Sequence, residues 1–257
     1  MRILAIGDIV GEDALEKVIQ IIPKKKKENN IDFIIANVEN IVKARGINKV
    51  CFERLVQAGV DAVTMGNHTY SNKEIYDIED NRLIVPVNYN EDTIYKGYQV
   101  YERNNNKIFV ANIIGKGLGG KLNPFKTINS IINNLDDDIK IRIIDFHGEY
   151  GNEKRSIAHM LKNKISVVFG THTHVQTADE IILYDGVGFI TDIGMCGSVN
   201  SAIGYDLDFE TKRYFDELKD DSILAKDEIY KFNACVFEID DSTGRTIGIK
   251  RINIKIK

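Results

Sequence analysis

The side chains in this sequence that are best suited to metal chemistry are its histidines, and most of them follow apolar segments. Five histidines occur among 257 residues. His172 and His174 are separated by one residue in GTHTHVQTAD, directly after the apolar segment 165–169. On an extended strand, residues two apart share one face, so both imidazoles of this H-x-H motif could reach neighbouring metal ions. His68 in MGNHTY and His147 in IIDFHGE also follow apolar segments.

Oxygen ligands stand at the ends of other apolar segments. Asp8 ends the first segment in MRILAIGDIVG, Glu39 and Asn40 follow the second in ANVEN, and Asn67 follows the third. In open α/β sheets, functional sites form beyond the carboxyl ends of the strands, so these separate loops can meet at one place. Carboxylate, amide oxygen and imidazole together suit divalent iron, manganese or zinc and differ from the thiolates of a structural zinc site.

These groups are numerous enough to hold two ions, provided that one carboxylate bridges them. Two ions about 3.5–4 Å apart can polarise a phosphoryl group and lower the pKa of a shared water. Taken alone, each residue also has a purely structural interpretation: Asp8 could cap a helix, Asn67 could belong to a turn, and His147 could be a buried, hydrogen-bonded histidine. The combination at strand ends favours a metal site. His159 lies within a helical stretch and is interpreted as structural or surface.

Residues next to the ligand candidates have supporting roles to consider. Gly66 and Gly170 directly precede ligand candidates, where a tight backbone turn would favour glycine. Thr171 and Asp192 are candidates for orienting the histidines through hydrogen bonds. A turn or capping role for these two residues is an equal alternative.

Composition and charge restrict the class of partner and the compartment. The net charge of −4 predicts no broad basic surface, so duplex nucleic acid is not an expected partner. The apolar runs are strand-sized and far shorter than the about 20 residues of a membrane-spanning helix, so no membrane partner is expected. Cys51, Cys196 and Cys235 form no C-x-x-C pair, which disfavours disulfides and thiolate metal sites. These features predict a reducing compartment and a cytoplasmic location.

Alternating strand-like and helix-like segments predict an α/β fold. Expected strands include 2–6, 32–37, 61–65, 141–146 and 166–169, and expected helices include 13–27, 49–58, 72–78, 124–134 and 154–162. Pro23 is expected to end the regular part of the first helix early. Turn residues at 104–106 and 240–244 predict two hairpins. Because no low-complexity linker divides the pattern, we expect one domain over residues 1–257, with two packed mixed β-sheets flanked by helices.

Several motifs of the chain resemble a known enzyme superfamily. Gly7-Asp8, Gly66-Asn67-His68 and GTHTH at 170–174 resemble the blocks of the calcineurin-like metallophosphoesterases. In order and spacing, MRILAIGDIVG, NVEN, AGVDAVTMGNHTY, IIDFHGE, VVFGTHTHVQTAD and ITDIGMCG resemble more closely the YmdB-like bacterial phosphodiesterase branch. Val10 stands where the wider superfamily has a histidine, and Glu39 stands where it has a bridging aspartate. Both departures are typical of the YmdB-like branch.

The resemblance implies a four-layer sandwich and a specific assignment of ligands around two ions. Glu39 would bridge the ions, with Asp8, Asn40 and His174 completing the first site and Asn67, His147 and His172 completing the second. His68 would stay uncoordinated and act as general acid, while a hydroxide activated by both metals attacks phosphorus. The resemblance also implies a small phosphodiester substrate such as a 2′,3′-cyclic nucleotide, and a homo-oligomer. Because the candidate ligands contain no sulfur, we expect iron or manganese rather than a thiolate-type zinc site.

Two functions of other classes stay open from the sequence. One is a metallohydrolase that acts on a non-phosphate substrate such as an amide. The other is a regulatory RNA- or protein-binding module that retains a metal site. The complete ligand set argues against the second alternative, because a module without catalysis has no need to keep every ligand.

Overall fold

The computed structural model describes residues 1–89, 95–184 and 186–257. Within these residues the helices are α1 (Glu12–Glu28), α2 (Lys49–Gln57), α3 (Pro124–Asn133), α4 (Gly151–Met160) and α5 (Leu207–Phe215), with 3₁₀ turns at Val42–Ala44 and Lys73–Asp77. The strands are β1 (Arg2–Ile6), β2 (Asp8–Ile9), β3 (Phe33–Asn37), β4 (Ala62–Thr64), β5 (Leu83–Ile84), β6 (Tyr98–Arg103), β7 (Asn106–Ile114), β8 (Ile141–His147), β9 (Val167–Thr171), β10 (Ile181–Leu183), β11 (Val187–Ile190), β12 (Met195–Ser198), β13 (Tyr230–Ile239) and β14 (Thr246–Ile256).

These strands form two sheets of mixed direction. The first sheet has the order β2-β12-β13-β1-β3-β4-β5, and β14 also pairs with β13. Strands β1, β3, β4 and β5 run parallel, whereas β13 is antiparallel to β1, β12 and β14. The second sheet has the order β10-β11-β9-β8-β7-β6, in which the four central strands are parallel and the two edge strands are antiparallel. The predicted mixed sheets are confirmed.

Three hydrophobic clusters separate four layers. One cluster packs α1 and α2 against the first sheet, through residues such as Leu15 and Phe52. A second lies between the sheets and includes Phe33 from one sheet and Phe169 from the other. A third packs α3 and α4 against the second sheet. The order helix–sheet–sheet–helix confirms the predicted architecture. The single domain over residues 1–257 stays a prediction, which the cluster shared by both sheets supports.

Some details of the predicted elements are wrong. Helix α1 continues through Pro23 to Glu28, because the ring lies on the exposed side of the helix, where water can replace the missing backbone donor. The helix expected at 72–78 is a 3₁₀ turn. Strands β2 and β12 were not predicted, since strands of two and four residues are too short to show a pattern. Helix α5 was not predicted either.

None of the helices in the described part of the chain combines the length and the apolar character needed to span a bilayer.

Gly170 in β9 provides a direct test of the packing between the H-x-H loop and its neighbours. A Cβ added at Gly170 would lie 1.8 Å from the carbonyl oxygen of Thr191 and 2.7 Å from Cδ of Lys154. We expect Gly170→Ala to lower the free energy of unfolding by about 1–3 kcal/mol, because overpacking forces the backbone to shift. The control is Gly248→Ala, whose Cβ would approach the Glu238 side chain at 3.2 Å. Denaturant unfolding that gives equal losses for both variants would contradict this account.

Candidate metal centre

The candidate ligands come from the carboxyl ends of strands in both sheets. Asp8 lies in β2, where it pairs with Met195 of β12, and Glu39 lies two residues beyond β3. His147 is the last residue of β8, and His172 directly follows β9. The two sheets therefore supply carboxylates and imidazoles to one place, as the sequence predicts for strand ends.

Nε2 of His147 is the centre of the first group of ligands. It lies 3.0 Å from Oε1 of Glu39, 3.0 Å from Oδ1 of Asn67 and 3.1 Å from Nδ1 of His172. Ligand atoms of Glu39, His147 and His172 all lie within 4.8 Å of one another. Four of the predicted residues thus converge with nitrogen and oxygen atoms facing one another, an arrangement that a cation would stabilise.

A second group lies around Asp8. Its Oδ1 is 3.9 Å from Nε2 of His174 and 3.8 Å from Nδ1 of His147. Among the described residues, Oδ1 of Asp8 and Oδ1 of Asn40 are buried atoms without a hydrogen-bond partner. Because the amide nitrogen of Asn40 donates to the carbonyl of Ala44 at 2.9 Å, the orientation of its Oδ1 is fixed. A buried acceptor left without a partner is costly, and a bound cation would remove that cost at both atoms.

In His147, His172 and His174, one ring nitrogen faces the candidate ligand cluster and the second ring nitrogen contacts a neighbouring group. The contacts are Thr171 Oγ1 on Nδ1 of His147 at 3.0 Å, Glu149 Oε2 on Nε2 of His172 at 3.2 Å, and the Ile203 carbonyl on Nδ1 of His174 at 2.8 Å. Metal-binding histidines are oriented in this way, because the partner fixes the tautomer and the plane of the ring. The interpretation of Thr171 as an orienting residue agrees with this contact.

The Thr171 hydroxyl is in turn fixed by the buried carboxylate of Asp145. It donates to Oδ1 of Asp145 at 2.7 Å, while Asn37 and Thr64 donate to Oδ2 at 3.0 and 2.5 Å. Burial raises the pKa of Asp145, and the charge of His147 and these hydrogen bonds oppose that rise. Sequence reasoning missed Asp145 and Asn37, although both are polar residues within otherwise apolar strands, which is the available signal.

The loop that carries His172 and His174 is supported by a buried ion pair. Nζ of Lys154 lies 3.0 Å from Oδ2 of Asp192 and donates to the Thr171 carbonyl at 2.9 Å. Asp192 also accepts from the backbone N–H of Thr173 at 3.1 Å. Asp192 therefore contacts the loop backbone, which matches its alternative role in a turn. Lys154 was missed because a lysine in a helix gives no sign in sequence that it is fully buried.

The H-x-H motif does not have the extended backbone that the sequence suggested. His172 and His174 follow β9 rather than lie in it, and both have positive φ angles, of 102° and 63°. Such angles are uncommon for residues other than glycine and cost free energy, so they persist only where surrounding contacts enforce them. The contacts of Lys154, Glu149 and Ile203 provide that enforcement. The two rings reach the site through a turn, not by alternation along a strand.

Gly66 is required by close approach rather than by a turn. A Cβ at this position would lie 2.4 Å from Oε2 of Glu39 and 2.4 Å from Nε2 of His147. Neither Gly66 nor Gly170 is among the described residues with positive φ. A turn does begin at Gly66, whose carbonyl accepts from the Thr69 N–H at 3.2 Å, but lack of space rather than a positive φ explains why both positions are glycine.

Electrostatic interactions within the site separate the protonation states of its members. Burial by itself would raise the pKa of Glu39, but the charge and hydrogen bond of His147 lower it to about 2. Burial opposes protonation of His147, but Glu39 and Asp8 raise its pKa to about 9. Burial raises the pKa of Asp8 to about 6, partly opposed by the histidines. Burial and the charge of His147 lower the pKa of His172 to about 3. Glu39 and His147 thus stabilise each other's charged forms, while the charge of His147 disfavours protonation of His172.

His68 lies at the edge of the cluster. Its backbone N–H donates to Oε2 of Glu39 at 2.8 Å, whereas Nδ1 of its ring is 3.4 Å from Oγ of Ser71. Burial lowers the pKa of His68, which makes its imidazolium a stronger acid and leaves the neutral ring as the main form at neutral pH. The structure therefore places the backbone of His68 against Glu39 and its ring toward Ser71.

Comparisons with known proteins agree on one family. The family described as YmdB-like protein matches residues 4–252. The chain is 36% identical to a Bacillus subtilis protein named 2′,3′-cyclic-nucleotide 2′-phosphodiesterase, over 99% of this chain and 97% of that protein. A crystal structure from Mycoplasma pneumoniae, described as a novel phosphatase, is 29% identical with a TM-score of 0.93, covering 99% of this chain and 93% of that one.

A crystal structure of a hypothetical protein from Thermus thermophilus is also similar over its whole length. It is 29% identical with a TM-score of 0.91, covering 99% of each chain. The family match, the sequence identity and these two structures all span nearly the full chain. This chain belongs to the YmdB-like protein family.

Proposed function

We propose that this chain is a metal-dependent phosphodiesterase that hydrolyses small phosphodiesters, with 2′,3′-cyclic nucleotides as the favoured substrates and cleavage of the 2′ ester bond. The observation that carries the proposal is the convergence of Glu39, His147 and His172, whose ligand atoms lie within 4.8 Å of one another. The Bacillus subtilis relative, named as a 2′,3′-cyclic-nucleotide 2′-phosphodiesterase, supports the choice of substrate. The coarser class, hydrolysis of phosphoric esters, is supported by the Mycoplasma pneumoniae phosphatase as well.

The proposed cofactor is a pair of iron or manganese ions. Glu39 is the proposed bridging ligand, since Oε1 and Oε2 of its carboxylate face different partners, His147 and the backbone of His68. Asp8, Asn40 and His174 would complete one site, and Asn67, His147 and His172 would complete the other. The donor set contains oxygen and imidazole nitrogen but no thiolate, which suits iron and manganese better than a structural zinc ion.

The chemistry divides between the ions and the side chains of the chain. Bound ions would polarise the phosphoryl group and lower the pKa of a water at the site. In the reaction the water releases one proton to solvent, its oxygen forms a bond to phosphorus, the bond from phosphorus to O2′ breaks, and O2′ takes a proton from His68. Thr171, Glu149 and the Ile203 carbonyl keep the three histidines in fixed orientations throughout, so little reorganisation is needed at the transition state.

His68 is the proposed donor of the proton to O2′. The donor is the imidazolium form of His68, and we assign the transferred proton to Nε2, because Nδ1 lies 3.4 Å from the Ser71 hydroxyl. The hydrogen bond from its backbone to Glu39 holds His68 at the edge of the ligand cluster, beside the place proposed for the phosphate. A general acid matters most when the leaving oxygen is a poor leaving group, as the O2′ alkoxide of a ribose is.

Substitution of Glu39 tests the proposed bridge independently of activity. We expect Glu39→Gln to lower metal occupancy at both sites, because the amide keeps the shape but loses the charge that offsets repulsion between two cations. The melting temperature in metal-containing buffer should fall as well, since a ligand that binds only the folded state stabilises it. The matched control is Glu53→Gln, an exposed residue of α2 that makes none of the ligand contacts, and this variant should keep both ions. Two equivalents of metal in Glu39→Gln would exclude the bridging role.

Substitution of His68 separates an acid from a ligand. We expect His68→Ala to bind two ions and to lose about 10²–10⁴-fold in kcat on 2′,3′-cyclic AMP. The loss should be much smaller on bis-p-nitrophenyl phosphate, whose leaving group is stable as an anion. Equal losses on both substrates would argue against the acid role, and a lower metal content would make His68 a ligand. A wild-type protein that binds metal but hydrolyses neither substrate would favour a regulatory binding module.

A further inference from the structure

A cavity of about 710 Å³ opens beside the candidate metal centre. Its walls come from residues 42–45, residues 71–74, Tyr205 and residues 221–222. The volume lies within the range of about 300–1,000 Å³ that small-molecule sites usually have. None of these residues is among the proposed metal ligands, so the cavity is a separate feature next to the site.

The cavity is joined to the metal centre at two points. The Ser71 hydroxyl in its wall lies 3.4 Å from Nδ1 of His68, the proposed acid. The carbonyl of Ala44, also in its wall, accepts a hydrogen bond from the Asn40 amide at 2.9 Å. The oxygen that receives a proton from His68 belongs to the leaving group. Because Ser71 contacts Nδ1 and the proton leaves from Nε2, one imidazole ring separates the cavity wall from that oxygen, a span that the rest of a nucleoside can cross.

The cavity wall carries more positive than negative side chains. Its cations are Lys43, Arg45 and Lys73, and its acids are Glu74 and Asp221. Arg45 pairs with Asp221 at 3.3 Å, but the Asp221 side chain is 87% exposed, and such surface pairs are weak. A phosphate can therefore replace Asp221 as the partner of Arg45, because guanidinium binds phosphate through paired hydrogen bonds. This local excess contrasts with the net charge of −4 for the whole chain.

The backbone of the loop is held in a costly conformation that supports these cations. Lys43 and Ala44 have positive φ angles of 49° and 62°. Two successive left-handed residues that are not glycine are uncommon, and strain of this kind concentrates at functional sites. Tyr205, which also lines the cavity, offers an aromatic ring, which is a suitable surface for a nucleobase to stack on.

We propose that this cavity binds the nucleoside leaving group together with a phosphate on its 5′ oxygen. The nucleobase would lie against Tyr205, and the 5′ phosphate would lie between Arg45 and Lys43. The inference rests on the proposed function, because the cyclic phosphate must lie at the metal centre for the ribose to enter the cavity. The substrate class is then a 2′,3′-cyclic phosphate that carries a second phosphate, either a 5′-phosphorylated mononucleotide or the 3′ end of an oligonucleotide.

Binding measurements test this subsite without depending on turnover. The ligands are 2′,3′-cyclic AMP, its 5′-phosphorylated form, and a diadenosine dinucleotide that ends in a 2′,3′-cyclic phosphate. On metal-loaded His68→Ala, calorimetry should give a Kd about tenfold lower for each ligand with the second phosphate, as expected for a charge-assisted contact. Adding Arg45→Ala and Lys43→Ala should reduce that preference below about threefold. Lys49→Ala, an exposed lysine of α2 outside the cavity, is the control and should keep the preference.

The outcomes separate this inference from the proposed function. Equal Kd values for 2′,3′-cyclic AMP and both phosphorylated ligands would overturn the subsite, as would a preference that survives loss of Arg45 and Lys43. A preference for the mononucleotide alone would identify a 5′-phosphate monoester as the ligand, and a preference for both would identify the end of a strand. If wild-type protein hydrolyses none of the three while the tenfold preference persists, the subsite stands and the proposed reaction fails.

Discussion

The carboxylate of Asp145 is buried between the two sheets, and the geometry of the candidate metal centre depends on how that carboxylate is held. A buried carboxylate is costly unless hydrogen bonds replace its hydration. The donors are Asn37 of β3, Thr64 of β4 and Thr171 of β9. Because these donors belong to both sheets, they fix the sheets relative to each other. The position of His147 against Glu39, which joins the second sheet to the first, follows from that arrangement.

The buried ion pair of Lys154 and Asp192 holds the H-x-H loop in position, as the buried carboxylate of Asp145 holds the two sheets. His172 and His174 adopt left-handed backbone angles that need support. Lys154 reaches from α4 to the Thr171 carbonyl and to Asp192, which in turn holds the backbone of Thr173. Removing one member of a buried pair leaves an uncompensated charge and is strongly destabilising. The two networks meet at Thr171, whose side chain serves Asp145 and whose carbonyl serves Lys154, so ring orientation and loop conformation are coupled.

The sequence predicted the parts of this molecule that follow from local patterns. Apolar segments followed by Asp8, Glu39, Asn67 and His147 gave the strands and the residues at their ends, because alternating elements of an α/β fold place such ends together. The resemblance of the motifs indicated the family, which the comparisons confirm. The assignment of each ligand to one ion, the role of His68, the choice of metal and the oligomeric state stay predictions.

What the sequence could not predict depends on contacts between residues that are distant in the chain. The left-handed angles of His172 and His174 arise from neighbours in other elements. The prediction of an extended H-x-H motif used only the alternation of side chains along a strand, which does not include such contacts. The burial of Lys154 and Asp145 could not be predicted because each is paired with a residue more than twenty positions away. Strand β2 consists of two residues that pair with β12, so its existence is a property of the sheet and not of its own sequence.

The central claim is that a carboxylate shared between two groups of ligands holds two metal ions at this junction of the sheets. The most direct test is elemental analysis of protein purified without chelator, with phosphodiesterase activity measured on the same sample. The account predicts about two equivalents of iron or manganese per chain and activity that declines as metal is removed. Less than one equivalent of any transition metal, with activity retained in full, would contradict it.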